Sequence, residues 1–181
     1  MEQYVIQVNE YDEVVGVIEK MEAHKSGTLH RAFSVFIFNS KGEMLLQQRA
    51  MNKYHSAGLW SNACCSHPKP GEETLPAAKK RLKEEMGFET ALTRLYTLLY
   101  KAAFDNGLTE HEFDHVFVGE YDGDITFNKE EVMNYNYTGM KRIREELGIE
   151  PEKYSAWFKL IFPRVEEWWK EKYSTSSVKQ V

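Results

Sequence analysis

Six polar side chains stand out by type and spacing: His24, His30, Cys65, His67, Glu110 and Glu112. The chain holds six histidines in all, and the three named here fall where strand ends or loops are expected. In an extended segment residues i and i+2 point to one side, so Glu110 and Glu112 can present both carboxylates on one face. By the same rule Cys65 and His67 project together, with Ser66 turned away. Three imidazoles and two carboxylates make a mixed N/O set suited to a divalent cation such as Mn, Mg or Zn. A structural zinc site fits less well, because such sites are mostly closed, tetrahedral and rich in cysteine. Spacing alone leaves a second reading open, in which the histidines are loop residues and Glu110 and Glu112 form a solvated acidic edge.

The elements that must position these groups alternate between strands and helices. Tyr4–Val8 and Val14–Glu19 read as short strands, and Ala32–Phe38 as a strongly β-forming run. Asn39-Ser40-Lys41-Gly42 supplies turn chemistry, with Met44–Gln48 as the returning strand of a hairpin. Thr74 can cap a helix that carries Pro76 in its first turn and ends at Gly87. Leu92–Tyr100 and Glu112–Tyr121 read as further strands, with Asp122-Gly123 as a turn. Met140–Leu147, punctuated by Gly148, and the amphipathic Ser155–Lys172 read as helices. Mixed strands with interleaved helices predict an α/β (α+β) domain of α/β/α layers. The expected domain spans residues 1–175, and 176–181 reads as a frayed tail.

Composition narrows the function classes. The 181 residues suit one domain large enough to bury a core. With 23 Lys plus Arg against 28 Asp plus Glu, the net charge of -5 argues against nucleic-acid coating and against a general anionic-membrane binder. It leaves room for an anionic substrate, since a few well-placed cations outweigh a mild global field. No stretch approaches the ~18 apolar residues of a membrane span. Glu2, Glu10, Asp12 and Glu13 sit where a targeting signal would be basic and then apolar. Cys64 and Cys65 are the only cysteines, and neighbours cannot staple a fold in the usual way. The expectation is therefore a reduced, cytoplasmic setting.

One longer pattern resembles the Nudix box, G-x5-E-x7-R-E-U-x-E-E-x-G-U with U bulky and aliphatic. The chain has Ser66, Glu72 and then Lys80-Arg81-Leu82-Lys83-Glu84-Glu85-Met86-Gly87-Phe88 at the same spacing. Ser66, Lys80 and Arg81 replace the Gly, Arg and first Glu, and Phe88 is a loose match at U. The resemblance implies a Nudix-like, mixed-sheet α/β/α sandwich with a degenerate box at 66–88. At Arg81 the charge is reversed, which counts against a Nudix hydrolase, the alternative reading. A guanidinium one turn before Glu85 suits gripping a phosphate beside a cation, or a simple i,i+4 ion pair.

Taken together, several short segments resemble the type 1 isopentenyl-diphosphate isomerases. They are Glu19-Lys20-Met21-Glu22-Ala23-His24, Leu29-His30-Arg31-Ala32-Phe33-Ser34, Leu59–Pro68, Tyr100-Lys101-Ala102, Glu110-His111-Glu112 and Ser155-Ala156-Trp157. The resemblance implies a double-bond shift that converts isopentenyl diphosphate into dimethylallyl diphosphate through a tertiary carbocation. It implies Cys65 and Glu112 as the acid/base pair, with Tyr100 assisting Glu112. It further implies that His24, His30, His67, Glu110 and Glu112 hold one divalent cation, Mn or else Mg or Zn. Glu85 and the main-chain carbonyl of Cys65 would hold a second, Mg, that bridges to the diphosphate. Lys20, Arg49, Lys53 and Arg81 correspond to diphosphate-binding cations, and Trp157 to the aromatic ring facing the carbocation. The partner implied is a small-molecule diphosphate, with no nucleic acid and no membrane insertion. Cys64 is left to packing.

Overall fold

The computed structural model describes residues 3–174; the tail expected at 176–181 lies outside the described residues. Tyr4–Val8 (β1) and Val14–Glu19 (β2) pair antiparallel over the predicted ranges. The chain then enters a short helix, Lys20–Ser26 (α1), which the sequence reading did not anticipate. Its ends are fixed locally. The Glu19 carboxylate accepts from the Glu22 N–H, and Gly27 closes the other end in the left-handed region at φ 67°. His24 therefore comes from a helix and not from a loop or strand end.

Next come His30–Phe38 (β3), Met44–Arg49 (β4) and the short strands Trp60–Ser61 (β5) and Cys64–Ser66 (β6). Helix Thr74–Met86 (α2) follows, then the long hairpin Leu92–Ala103 (β7) and Thr109–Glu120 (β8), strand Val132–Thr138 (β9), and helices Met140–Ile149 (α3) and Ala156–Ser174 (α4). Thr74 is the first residue of α2 and not its cap; Glu73 holds that place without a side-chain bond. Gly87 ends α2 at φ 78°, and a Cβ there would lie 2.2 Å from the Thr126 carbonyl oxygen. Both facts require glycine at this position. Helix α3 runs on past Gly148 to Ile149, and β9, rich in Asn and Tyr, went unread.

Strand β3 organises the sheet. It pairs parallel with β8, placing His30 opposite Glu112, and antiparallel with β6, placing Ser34 opposite Cys65. Alternate residues of β3 serve two separate cores. Phe36 and Phe38 join Val116, Val118, Ile143, Phe158, Ile161 and Val165 beneath α3 and α4. Phe33, Val35 and Ile37 join Leu45, Ala78, Leu82 and Met86 beneath α2. Each such fully buried large side chain contributes roughly 1.5–3 kcal/mol. The result is the α/β/α sandwich expected, with the sheet as the middle layer.

Candidate active site

The alternation that builds the two cores also sorts the two thiols. Cys64 is fully buried in the α2-side core, whereas Cys65 packs against the α4-side core. On that second face β8 carries Glu110, Glu112 and Asp114 at i, i+2 and i+4, because the strand begins at Thr109, three residues earlier than read from sequence. Tyr100 lies opposite Glu112 in the β7–β8 register, and its hydroxyl donates to Glu112 Oε2 at 2.6 Å and to Glu110 Oε2 at 3.3 Å. One cavity is lined by Cys65, Glu112, Glu110, Tyr100, Trp157, Lys20, Arg49, Lys53, Arg81, Glu85 and His67. Ser66, expected to turn away, borders this cavity and the larger groove beside it.

The histidines are oriented by main-chain carbonyls. His24 Nδ1 donates to the Lys20 carbonyl at 2.6 Å, and His30 Nδ1 to the Thr28 carbonyl at 2.8 Å. Each ring thereby turns a lone-pair nitrogen, Nε2, inward, the usual arrangement of a metal-ligating imidazole. His24 Nε2 is buried and has no hydrogen-bond partner among the described residues. His67 Nε2 lies 3.2 Å from His30 Nε2 and 2.9 Å from Glu112 Oε1. One donor atom from each of His24, His30, His67 and Glu112 falls within 4.8 Å of the others, about the span of ligands around one ion. The orphaned nitrogen and the mixed N/O donor set fit a divalent cation. Glu110, the fifth residue of the expected set, sits in an adjoining cluster with His24 and His55.

Burial dominates the electrostatics. It lowers the proton affinity of His24 and brings His67 down to about 3, so both rings stay neutral at physiological pH. Burial together with the neighbouring Glu112 charge pushes Glu110 well above the ordinary carboxylate range. Burial acts in the same direction on Glu112, but the hydrogen bond that His67 Nε2 donates to it in the metal-free protein, with the His30 ring beside it, outweighs burial and holds Glu112 low. Burial, reinforced by Asp114, raises the Cys65 thiol, and Tyr100 is raised in the same way. The thiol donates to Asn62 Oδ1 at 3.1 Å and lies 3.4 Å from Ser34 Oγ, which itself donates to Asp114 Oδ2 at 2.8 Å.

Lys20, Arg49, Lys53 and Arg81 line the same cavity. Arg81 lies 2.8 Å from Glu85 and 2.8 Å from Glu131, and Lys53 is hydrogen-bonded to the same Glu131 oxygen. The i,i+4 pair open from sequence thus does form, within a larger charge network. Gln47 donates to the other Glu85 oxygen at 2.8 Å. Lys20 sits over the Tyr54 ring at 4.9 Å and Arg49 over Trp157 at 5.0 Å. Trp157 is both core and cavity wall, 3% exposed. Sequence reasoning missed three participants: His55, Asp114 and Glu131. Asp114 was legible as the next step of the Glu110, Glu112 alternation, but His55 and Glu131 are brought in only by tertiary packing.

Fold and site together define a Nudix-type α/β/α domain built to hold a divalent cation beside a cationic rim. The NUDIX domain profile matches residues 28–165. A MutT protein from Methanosarcina mazei Go1 shares the fold, with a TM-score of 0.64 at 22% identity over 77% of this chain and 94% of that one. The chain is 53% identical to an isopentenyl-diphosphate Delta-isomerase of Pectobacterium atrosepticum, over 91% of this chain and 92% of that protein. It is 47% identical to one of Serratia proteamaculans, over 89% and 90% of the two chains. It belongs to the isopentenyl-diphosphate Delta-isomerase family of NUDIX-domain proteins. Among the described residues no helix is long and apolar enough to cross a membrane.

Proposed function

We propose that this protein isomerises isopentenyl diphosphate to dimethylallyl diphosphate, with Cys65 and Glu112 as the acid/base pair. The observation that carries the proposal is their placement in one cavity from strands on either side of β3, Cys65 on β6 and Glu112 on β8. A proton added to the terminal CH2 of the alkene leaves a tertiary cation. Loss of a different proton from C2 closes the new double bond, so atoms and charge balance. Each step needs a group that can hold or release a proton, and two such groups facing one cavity meet that need. Tyr100 keeps its own proton and donates to Glu112, which orients the carboxylate. The indole face of Trp157 stabilises the cation by ~0.5–2 kcal/mol. Phe33, Tyr54, Tyr100 and Trp157 line the cavity among its polar groups and displace water from beside the cation.

Lys20, Arg49, Lys53 and Arg81 bind the diphosphate, Arg81 by planar, charge-assisted hydrogen bonds. His24, His30, His67, Glu110 and Glu112 would hold a divalent cation, Mn by choice of its mixed N/O ligands, or Mg or Zn. Glu85 and the Cys65 carbonyl, hard oxygen donors, would hold Mg beside the diphosphate. When bound, the first cation fixes Glu112 and adjusts its proton affinity, and the second neutralises phosphate charge. The setting is the cytoplasm, where the Cys65 thiol stays reduced.

Incubation with isopentenyl diphosphate and Mg2+, followed by 1H and 31P NMR, is expected to yield dimethylallyl diphosphate with the diphosphate intact. Release of orthophosphate or a monophosphate in its place would assign the protein to the hydrolases.

A further inference from the structure

Among the histidines whose rings reach the metal-binding groups, His55 has no part in the proposed ligand set, yet it is 6% exposed and its Nε2 lies 3.3 Å from Glu110 Oε1. We infer that His55 is a positioning residue of the metal centre, donating from Nε2 to Glu110 so that this carboxylate is aimed at the cation. The inference rests on the metal site proposed above. A cation holds Glu110 as a carboxylate, which can only accept, so the His55 proton must sit on Nε2. Its Nδ1 is then free to accept from Ser56 Oγ, 3.3 Å away. In that tautomer Nε2 has no lone pair for a metal, which separates a positioning role from ligation.

The ring is held too firmly for an incidental contact. It stacks on Phe104 at 4.8 Å with planes 10° apart, and meets Trp157 edge-on at 5.8 Å. Its backbone is held as well: Arg49 donates to the carbonyls of His55 and Ser56, each at 3.2 Å. Ser56 is in the left-handed region at φ 51°, a conformation non-glycine residues adopt only where surrounding contacts impose it. One loop thus couples a phosphate-binding cation, the Trp157 wall and a metal carboxylate. Partners of this kind typically alter metal affinity by about 10–100-fold when removed.

The test is Mn2+ binding to metal-free protein, read from the EPR signal of free Mn2+, for wild type, His55→Ala and His55→Gln. Thermal unfolding of each metal-free variant reports folding. The expected result is a 10–100-fold weaker Mn2+ affinity for His55→Ala. His55→Gln, which keeps a donor toward Glu110, is expected to recover most of it. Unchanged affinity in His55→Ala would overturn the inference while leaving the metal site standing. Failure of folded His55→Gln to recover affinity would overturn positioning in favour of direct ligation. If wild type itself bound no Mn2+, the metal-site reading would fall and this inference with it.

Discussion

The two faces of the sheet differ in what they do with the same kinds of residue. Beneath α2 the core is apolar up to the buried Glu85, which is bonded to Gln47 and Arg81, and Cys64 is one more packed side chain among Phe33, Val35, Leu82 and Met86. Beneath α4 the apolar packing is interrupted at one end by Cys65, Ser34, Asp114, Glu112 and Glu110, all buried or half-buried. Burying ionisable groups costs several kcal/mol apiece unless each finds a partner. Among the described residues Asp114 bonds to Ser34 and leaves Oδ1 without a partner, and burial with the nearby Glu112 charge lifts its carboxyl well above the ordinary range. Stability is given up on the α4 face for proton transfer, while the α2 face holds the fold and contributes Arg81 and Glu85 to the cavity. Adjacent cysteines therefore have unrelated roles, because one residue's step along a strand changes the face.

That contrast can be broken most sharply at the thiols and the helices beside them. Cys65→Ala is expected to lower kcat by about 10²–10⁴-fold, the usual contribution of a positioned acid/base, with the folded state retained. A steady-state assay that found kcat within threefold of wild type would remove Cys65 from the chemistry. Leu82→Ala, in the other core, is expected to cost 2–5 kcal/mol in urea unfolding while leaving kcat per folded molecule unchanged. A fall in kcat comparable to that of Cys65→Ala would erase the distinction between the faces. Arg81→Ala, at the cavity rim, is expected to lower kcat/KM by about 10–100-fold, the loss of a hydrogen bond to a charged group. Unchanged kcat/KM would mean that Arg81 serves only Glu85 and Glu131.

Smaller effects refine the same comparison. Burial and the Glu112 charge raise Glu110 in the metal-free protein, so a cation bound by its carboxylate competes with a proton there. Mn2+ affinity should then rise by up to about tenfold per pH unit below the raised Glu110 value and level off above it. Mn2+ titrations across a pH series measure this competition, and an affinity that did not weaken at all as the pH fell would contradict the assignment of Glu110. Cys64→Ala is expected to lower stability by about 1 kcal/mol with little effect on kcat, since it deletes one buried, chemically idle atom.

The division between the faces was only partly legible in the sequence. Periodicity located β1, β2, β3 and the hairpin partner β4 to within two residues, because their alternation or apolar run is strong. Helix α1 was missed because seven residues are too few for a periodic signal, and its stability comes from its two caps. Strand β9 was missed because Asn is depleted in strands, and pairing with β4 overrides that preference. The candidate site residues come from short motifs, and the structure brings donor atoms of His24, His30, His67 and Glu112 within 4.8 Å of one another. His55 and Glu131 carry no local signature. His55 reaches Glu110 across 55 residues of chain and Glu131 reaches Arg81 across 50, distances that only tertiary packing closes.

The central claim is protonation and deprotonation of an alkene by the α4 face, and solvent isotope uptake tests it most directly. Wild-type protein, isopentenyl diphosphate and Mg2+ in D2O should give dimethylallyl diphosphate carrying deuterium in a methyl group, as read by NMR and mass spectrometry. Cys65→Ala should reduce that uptake sharply, and Cys64→Ala should not. Metal-loaded, folded wild-type protein that turned over no substrate, or made product without deuterium, would contradict the account.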